Sequence, residues 1–146
     1  MTLWKTAASL TLVATCATPS SAQNRTTTDG VYSLAQARRG AVHVPRCVTC
    51  HGDDLEGDLG PALVGPVYIA RWAGRPLSDF VQRVVTNFNG LARKGGSDET
   101  GTVEQRAADF TAYVLLQNGF RSGPGELSPL ADALSQVVIV EPPGRR

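Results

Sequence analysis

The sequence predicts an all-α domain: a few helices joined by long loops. Three observations carry this. Apolar residues recur at three- and four-residue intervals in separate stretches of the chain. Two Ser/Thr-x-x-Gln pairs, Ser33/Gln36 and Thr102/Gln105, stand where helices would begin. Fifteen Gly and nine Pro fall mostly between those stretches, where they interrupt regular structure. No alternating apolar and polar run marks a strand ladder, and no internal repeat is evident. The 146 residues suit one domain, and a composition 42% hydrophobic and 18% charged excludes a disordered or collagen-like chain.

The first 22 residues read as a signal peptide. Lys5 gives a charged start, residues 7–16 form an apolar run too short to span a bilayer, and Ser20-Ser21-Ala22 offers small residues for cleavage before Gln23. Export to the periplasm is therefore expected, with no membrane span after leader removal. Cys16 lies within the leader; Thr15 before it fits poorly with a lipoprotein processing site. Cleavage removes Lys5 and no acid, leaving thirteen bases against thirteen acids. A neutral chain with no basic run gives no support for nucleic-acid binding.

Residues 23–30 are polar and Thr-rich and read as a flexible lead-in to a domain at 31–121. Ser33 and Gln36 form a capping box for a helix over about 34–44, which Pro45 stops. Six Gly and Pro residues make 52–66 a loop. Ser78 is a candidate N-cap for a helix through Thr86, along which Phe80, Val81, Val84 and Val85 recur at helical spacing. Residues 87–101 read as loop. Thr102 and Gln105 open the clearest helix, with Phe110, Tyr113, Val114 and Leu116 as its apolar stripe and Asn118-Gly119 as its C-cap. A Pro-rich tail covers 122–146, and its apolar stretch 137–140 is expected to lie along the body.

The chemistry concentrates in Cys47-Val48-Thr49-Cys50-His51, the spacing of covalent haem attachment. Residues three apart share one face of a helical turn, so both thiols can reach the two vinyl groups of one porphyrin. The next residue then projects an imidazole toward the iron, and its second nitrogen needs an acceptor that fixes the ring. Other readings of the two thiols fit less well. A thioredoxin-like dithiol wants a βαβ setting. A zinc site needs four ligands, and only His43 and His51 accompany the cysteines. A plain disulfide leaves His51 and the Gly/Pro loop after it unexplained.

From about residue 31 to residue 120 the chain resembles the class I cytochrome c family, in particular the small domains that accompany quinoprotein alcohol and sugar dehydrogenases. The resemblance is carried by Gln36-Ala37-Arg38-Arg39-Gly40, by Cys47 to Gly52, by Gly60-Pro61-Ala62-Leu63-Val64-Gly65, by Trp72, and by Ala112 to Phe120. It implies three to four helices around one covalent haem c, bound through Cys47, Cys50 and His51. It further implies that the Pro61 carbonyl accepts from the second nitrogen of His51, that Leu63 packs on the haem face, and that Trp72 donates to a propionate. The first and last helices would cross near Gly40. Without the resemblance, Pro61 reads as a loop rigidifier and Leu63 and Trp72 as core.

Two departures stand out. The stretch before Cys47 is one residue shorter than in the family, with Val44 where an aromatic side chain packs against the last helix. More important, the family's axial Met falls in a segment corresponding here to 86–89, where this chain has Phe88; its only Met is Met1, inside the leader. The sixth position is then open or water-bound, with Lys94 the next candidate and His43 behind it, while Asn87 and Asn89 are weak ligands. The expected function is single-electron transfer in the periplasm with redox partner proteins (a dehydrogenase, an oxidase or another cytochrome), more an electron carrier than an enzyme. The alternative is a haem protein whose open sixth position binds small ligands, as a sensor or weak peroxidase; Arg83 and Arg93 are candidates beside it by position alone.

Overall fold

The computed structural model describes residues 25–92 and 101–144. The predicted leader, with Met1 and Cys16, and also Arg93 and Lys94 lie outside the described residues. In chain order the described elements are β1 (Arg25–Thr26), α1 (Leu34–Gly40), a 3-10 turn (Ala41–His43) and α2 (Val44–His51). There follow α3 (Gly65–Trp72), α4 (Leu77–Ala92), α5 (Val103–Gln117), α6 (Ala131–Ser135) and β2 (Val137–Val138). The fold is all-α, with the strands reduced to two residues each.

Ser33 caps α1 by accepting from the Gln36 N–H at 3.0 Å. The reciprocal half of the expected capping box is absent. Gln36 is fully buried and faces the tail instead: its Nε2 donates to the Leu127 carbonyl at 2.9 Å and its Oε1 accepts from the Leu127 N–H at 2.7 Å. The same substitution of partner occurs at α5. Thr102 accepts from the Gln105 N–H at 3.2 Å, while the Gln105 amide donates to Asp109 at 3.0 Å. A buried main-chain pair left without partners costs more than an exposed cap amide, which water can satisfy, so at α1 the tail wins.

α1 crosses α5 at Gly40. A Cβ there would collide with the Asp109 carbonyl oxygen and approach the Phe110 Cα to 2.9 Å, so only glycine admits this crossing. Beside it, Arg39 reaches Asp109 through Nε and Nη2 at 3.0 and 3.2 Å and Glu126 through Nη1 and Nη2 at 2.9 and 2.8 Å. One guanidinium therefore ties α1, α5 and the tail together.

The helices depart from the sequence-based expectation in four places. The helix expected over 34–44 ends at Gly40, and Pro45 opens α2 instead of stopping it. α6 forms in the tail, and α3 and α4 differ as well. α3 is not predicted, because Gly65-Pro66 reads as loop. Pro66 lies in the first turn, where its missing N–H is no loss, and Tyr68, Ile69 and Trp72 form the buried face. Asn118, also buried, holds this junction: its Oδ1 accepts from the Gly65 N–H at 3.0 Å and its Nδ2 donates to Leu63 and Val114 carbonyls at 3.0 and 2.8 Å. α4 starts at Leu77, so Ser78 is not its cap, and it continues past Thr86 to Ala92. The apolar stripe explains the extension, since Phe88 and Leu91 prolong the spacing set by Phe80, Val81 and Val84.

Residues 25–27 and 127–139 pack into the same body. β1 and β2 pair in parallel, Arg25 opposite Val137 and Thr26 opposite Val138. The expected flexible lead-in is thus held from Arg25 onward, and Thr27 is fully buried. Leu127, Leu134, Val137 and Ile139 join the core that contains Phe80, Phe110 and Leu115. Ile139 also bonds the α3–α4 turn, donating to Arg75 at 2.9 Å and accepting from Gly74 at 2.8 Å. Among the described residues no helix is long and apolar enough to cross a membrane.

Candidate functional site

Helix α2 brings Cys47, Cys50 and His51 together because positions i, i+3 and i+4 lie on one face. Pro45 fits its first turn, and Gly52 ends it with φ +80°, sending the chain back across the helix end. The returning loop supplies amides to the last carbonyls: Gly57 N–H donates to His51 at 2.8 Å and Gly60 N–H to Cys50 at 2.5 Å. The loop that reads as punctuation in the sequence is a structured cap.

The loop also fixes the imidazole. His51 Nδ1 lies 2.6 Å from the Pro61 carbonyl oxygen. A carbonyl only accepts, so Nδ1 carries the hydrogen and the neutral ring keeps its Nε2 lone pair free to ligate. Gly60 lies against the same ring: a Cβ there would sit 3.0 Å from both Cε1 and Nδ1. Any larger residue would push on the imidazole or lengthen its bond to Pro61.

These groups open into one cavity of about 610 Å³, within the range of small-molecule and cofactor sites. α2 lines it with Arg46, Cys47, Cys50 and His51, the loop with 59–63, and α3 with Arg71 and Trp72; α4 adds Phe80, Arg83, Val84 and Thr86–Phe88, with Gly90 and Leu91 beyond, and α5 adds Phe110. Pro61, Leu63 and Trp72 thus share a cavity with the two thiols and the imidazole. Leu63 and Trp72 are buried, and the Trp72 ring stands edge-on to Phe80 at 5.2 Å with the Arg75 guanidinium 4.7 Å from its centroid. Among the described residues the lining holds three arginines and no carboxylate. Sequence reasoning misses Arg46, Arg71 and the packing role of Gly60. Only Arg46 carries a local signal, by standing next to Cys47.

The two cysteines are free thiols in different surroundings: Cys47 is buried and Cys50 exposed. Burial, then the neighbouring Cys50, push the Cys47 thiol up to about 11, against a smaller opposite pull from Arg46. Its Sγ lies 3.4 Å from the His43 carbonyl oxygen, to which the thiol donates. A thiol held protonated in this way is a poor nucleophile at neutral pH, opposite to the activated cysteine of a thioredoxin-like dithiol. Among the described residues no three or more His, Cys, Asp or Glu gather as a protein-only metal cage requires.

His43 is buried and packs on Phe88 at 5.1 Å between ring centroids; Phe88 meets Phe110 at 5.8 Å, and Phe110 meets Tyr113 at 6.3 Å. This row of rings joins the 3-10 turn, α4 and α5. His43, one residue before Val44, supplies the ring at this end of the row. No protein-family model, curated protein or solved structure matches the chain.

Proposed function

We propose that this chain is a mono-haem c-type cytochrome, carrying single electrons between redox partner proteins in the periplasm. The observation that carries the reading is the His51 imidazole, oriented by the Pro61 carbonyl with Nε2 free, on the same helical face as two thiols that share its cavity. Cys47 and Cys50 would hold the porphyrin by adding their S–H groups across its two vinyl double bonds, a step with no leaving group. His51 would be the proximal ligand.

The cavity suits that group in shape and charge. A porphyrin has a broad apolar body and two carboxylates at one edge. Leu63, Phe80, Val84, Phe88 and Phe110 offer apolar contact, and Arg46, Arg71 and Arg83 are the charged side chains among the described lining residues. Arg71 and Trp72, adjacent at the end of α3, are the groups assigned to the propionates. The bound haem supplies a one-electron iron couple. The protein's part is to exclude water, fix the ring of His51, and leave an edge accessible to a partner; Cys50 and Leu59, exposed at the cavity, mark that edge.

The test is expression of the full chain in an exporting host that matures c-type haem. The expected product is coloured, and its haem absorbance stays with the polypeptide after denaturation. Replacing Cys47 and Cys50 together by Ser should abolish that retained absorbance. Colourless protein whose thiols are free or joined to each other, made where haem was abundant, would refute the reading.

A further inference from the structure

The His51 imidazole takes its orientation from one carbonyl, that of Pro61, 2.6 Å from Nδ1. The Pro61 ring is exposed on the cavity lining and gains little rigidity from packing. Its carbonyl stays in place only if the main chain on both sides is held. Before it, the Gly60 N–H donates to the Cys50 carbonyl at 2.5 Å. After it, the buried Leu63–Gly65 segment is gripped twice. The Leu55 carbonyl accepts from the Leu63 and Val64 N–H groups at 2.8 and 3.3 Å. Leu55 is buried with φ +60°, a left-handed conformation that costs a leucine energy and persists where surrounding bonds dictate it. The second grip is Asn118, which is fully buried. Its Nδ2 donates to the Leu63 carbonyl and its Oδ1 accepts from the Gly65 N–H, both at 3.0 Å. A carbonyl only accepts and an N–H only donates, so the carboxamide has one orientation.

We propose that Asn118 is a positioning residue for the axial imidazole: from the end of α5 it holds the Leu63–Gly65 segment so that the Pro61 carbonyl stays on His51 Nδ1. The inference rests on the haem reading above and deepens it. Asn118 stands outside the cavity lining, so its influence on the iron passes through the loop. Its side chain is not needed to end α5. The Gly119 N–H donates to Leu116 at 3.0 Å and the Phe120 N–H to Leu115 at 3.1 Å, with Gly119 at φ +83°, which closes the helix by main-chain bonds alone. Two of the three side-chain bonds of Asn118 go instead to the loop. The consequence is electronic. A firm bond from Nδ1–H to a carbonyl makes Nε2 the stronger donor and favours ferric over ferrous iron. Loosening the loop therefore raises the reduction potential.

The experiment compares the full-length protein with Asn118→Ala and Gln36→Leu, all from an exporting host. Haem absorbance retained after denaturation reports attachment alone, so its absence refutes the parent reading without touching the brace. In ferrous holoprotein, Asn118→Ala should move the His51 Nδ1–H proton signal upfield, speed its exchange with solvent about tenfold, and raise the reduction potential. Gln36→Leu also leaves main-chain groups unpaired, at the tail. It should lower the melting temperature while leaving the Nδ1–H signal and the potential unchanged, which separates positioning from stability. In the parent protein, Nδ1–H and the Gly65 N–H should exchange through one opening event, with equal dependence on denaturant. Should haem be missing, ring-nitrogen shifts of His51 still show whether the hydrogen sits on Nδ1 in the parent chain and leaves it in Asn118→Ala. An Nδ1–H signal and a potential unmoved in Asn118→Ala overturn the proposal, and so does a matching shift of both in Gln36→Leu. If Asn118→Ala fails to fold, the parent protein decides: Nδ1–H exchanging while Gly65 stays protected overturns the link.

Discussion

Gly40→Ala adds one methyl group at the crossing of α1 and α5, where the surrounding atoms cannot turn aside. The new Cβ would overlap the Asp109 carbonyl oxygen and lie 2.9 Å from the Phe110 Cα, both main-chain atoms of another helix. Ordinary carbon contacts lie near 3.5–4.0 Å, so the helices must part by about 1 Å or more. Overpacking of this kind costs about 1–3 kcal/mol. Separation also stretches the fork from Arg39 to Asp109, for roughly another 1 kcal/mol. Alanine's better helix propensity returns up to about 1 kcal/mol, and less at the end of a helix. A net loss of about 1–4 kcal/mol results, lowering the melting temperature by roughly 4–20 °C for a domain of this size. Gly90→Ala is the control. Its Cβ meets nothing within 4 Å, so propensity acts alone and should raise stability by up to about 1 kcal/mol. Thermal unfolding of both variants by circular dichroism gives the comparison. If Gly40→Ala melts at or above the parent temperature, the close approach of α1 and α5 is wrong.

Gln36→Leu removes both bonds to Leu127 while keeping the bulk of the side chain. It should cost about 2–4 kcal/mol through unpaired main-chain groups and speed limited proteolysis around 122–128; an unchanged cleavage rate would show that Gln36 does not hold the tail. The Cys47 thiol, raised to about 11 from an ordinary value of 9.0, gives folded haem-free chain a stability that is complete below pH 9 and lost as pH rises through 11. A form whose Cys47 sulfur is alkylated, as by the haem proposed above, should lack this component, which pH-dependent unfolding of the two forms would reveal. Phe88→Met places a thioether in the α4 wall at a position already facing the cavity. If the chain carries haem as proposed, it should produce a low-spin spectrum and raise the reduction potential; an unchanged spectrum would refute the placement of Phe88 beside the iron.

The features legible in the sequence are the local ones. Cys47, Cys50 and His51 are fixed relative to one another by a single helical turn, and the N-caps Ser33 and Thr102 act on amides three residues away. Two of the misreadings share one cause, a partner far along the chain. Gln36 has the spacing of a capping box, but its partner is Leu127. Asn87, Asn89 and Gly90 resemble loop residues, yet α4 continues because Phe88 and Leu91 have Phe110 and the core to pack on. Pro66 signals the start of a helix as readily as a loop, and α3 is lost to that ambiguity. The arginines that line the cavity come from α2, α3 and α4, so no window of sequence contains the cluster.

The pairing of Arg25 with Val137 has a consequence for the order of events during biogenesis. A two-residue parallel ribbon whose halves lie more than a hundred positions apart closes only after nearly the whole polypeptide has been delivered. Until then Leu127, Leu134 and Ile139 have not docked, and the early segments hold only part of their final core. If Cys47 and Cys50 take haem as proposed, a late-closing clasp of this kind would leave them approachable during the interval before residues 137–138 dock.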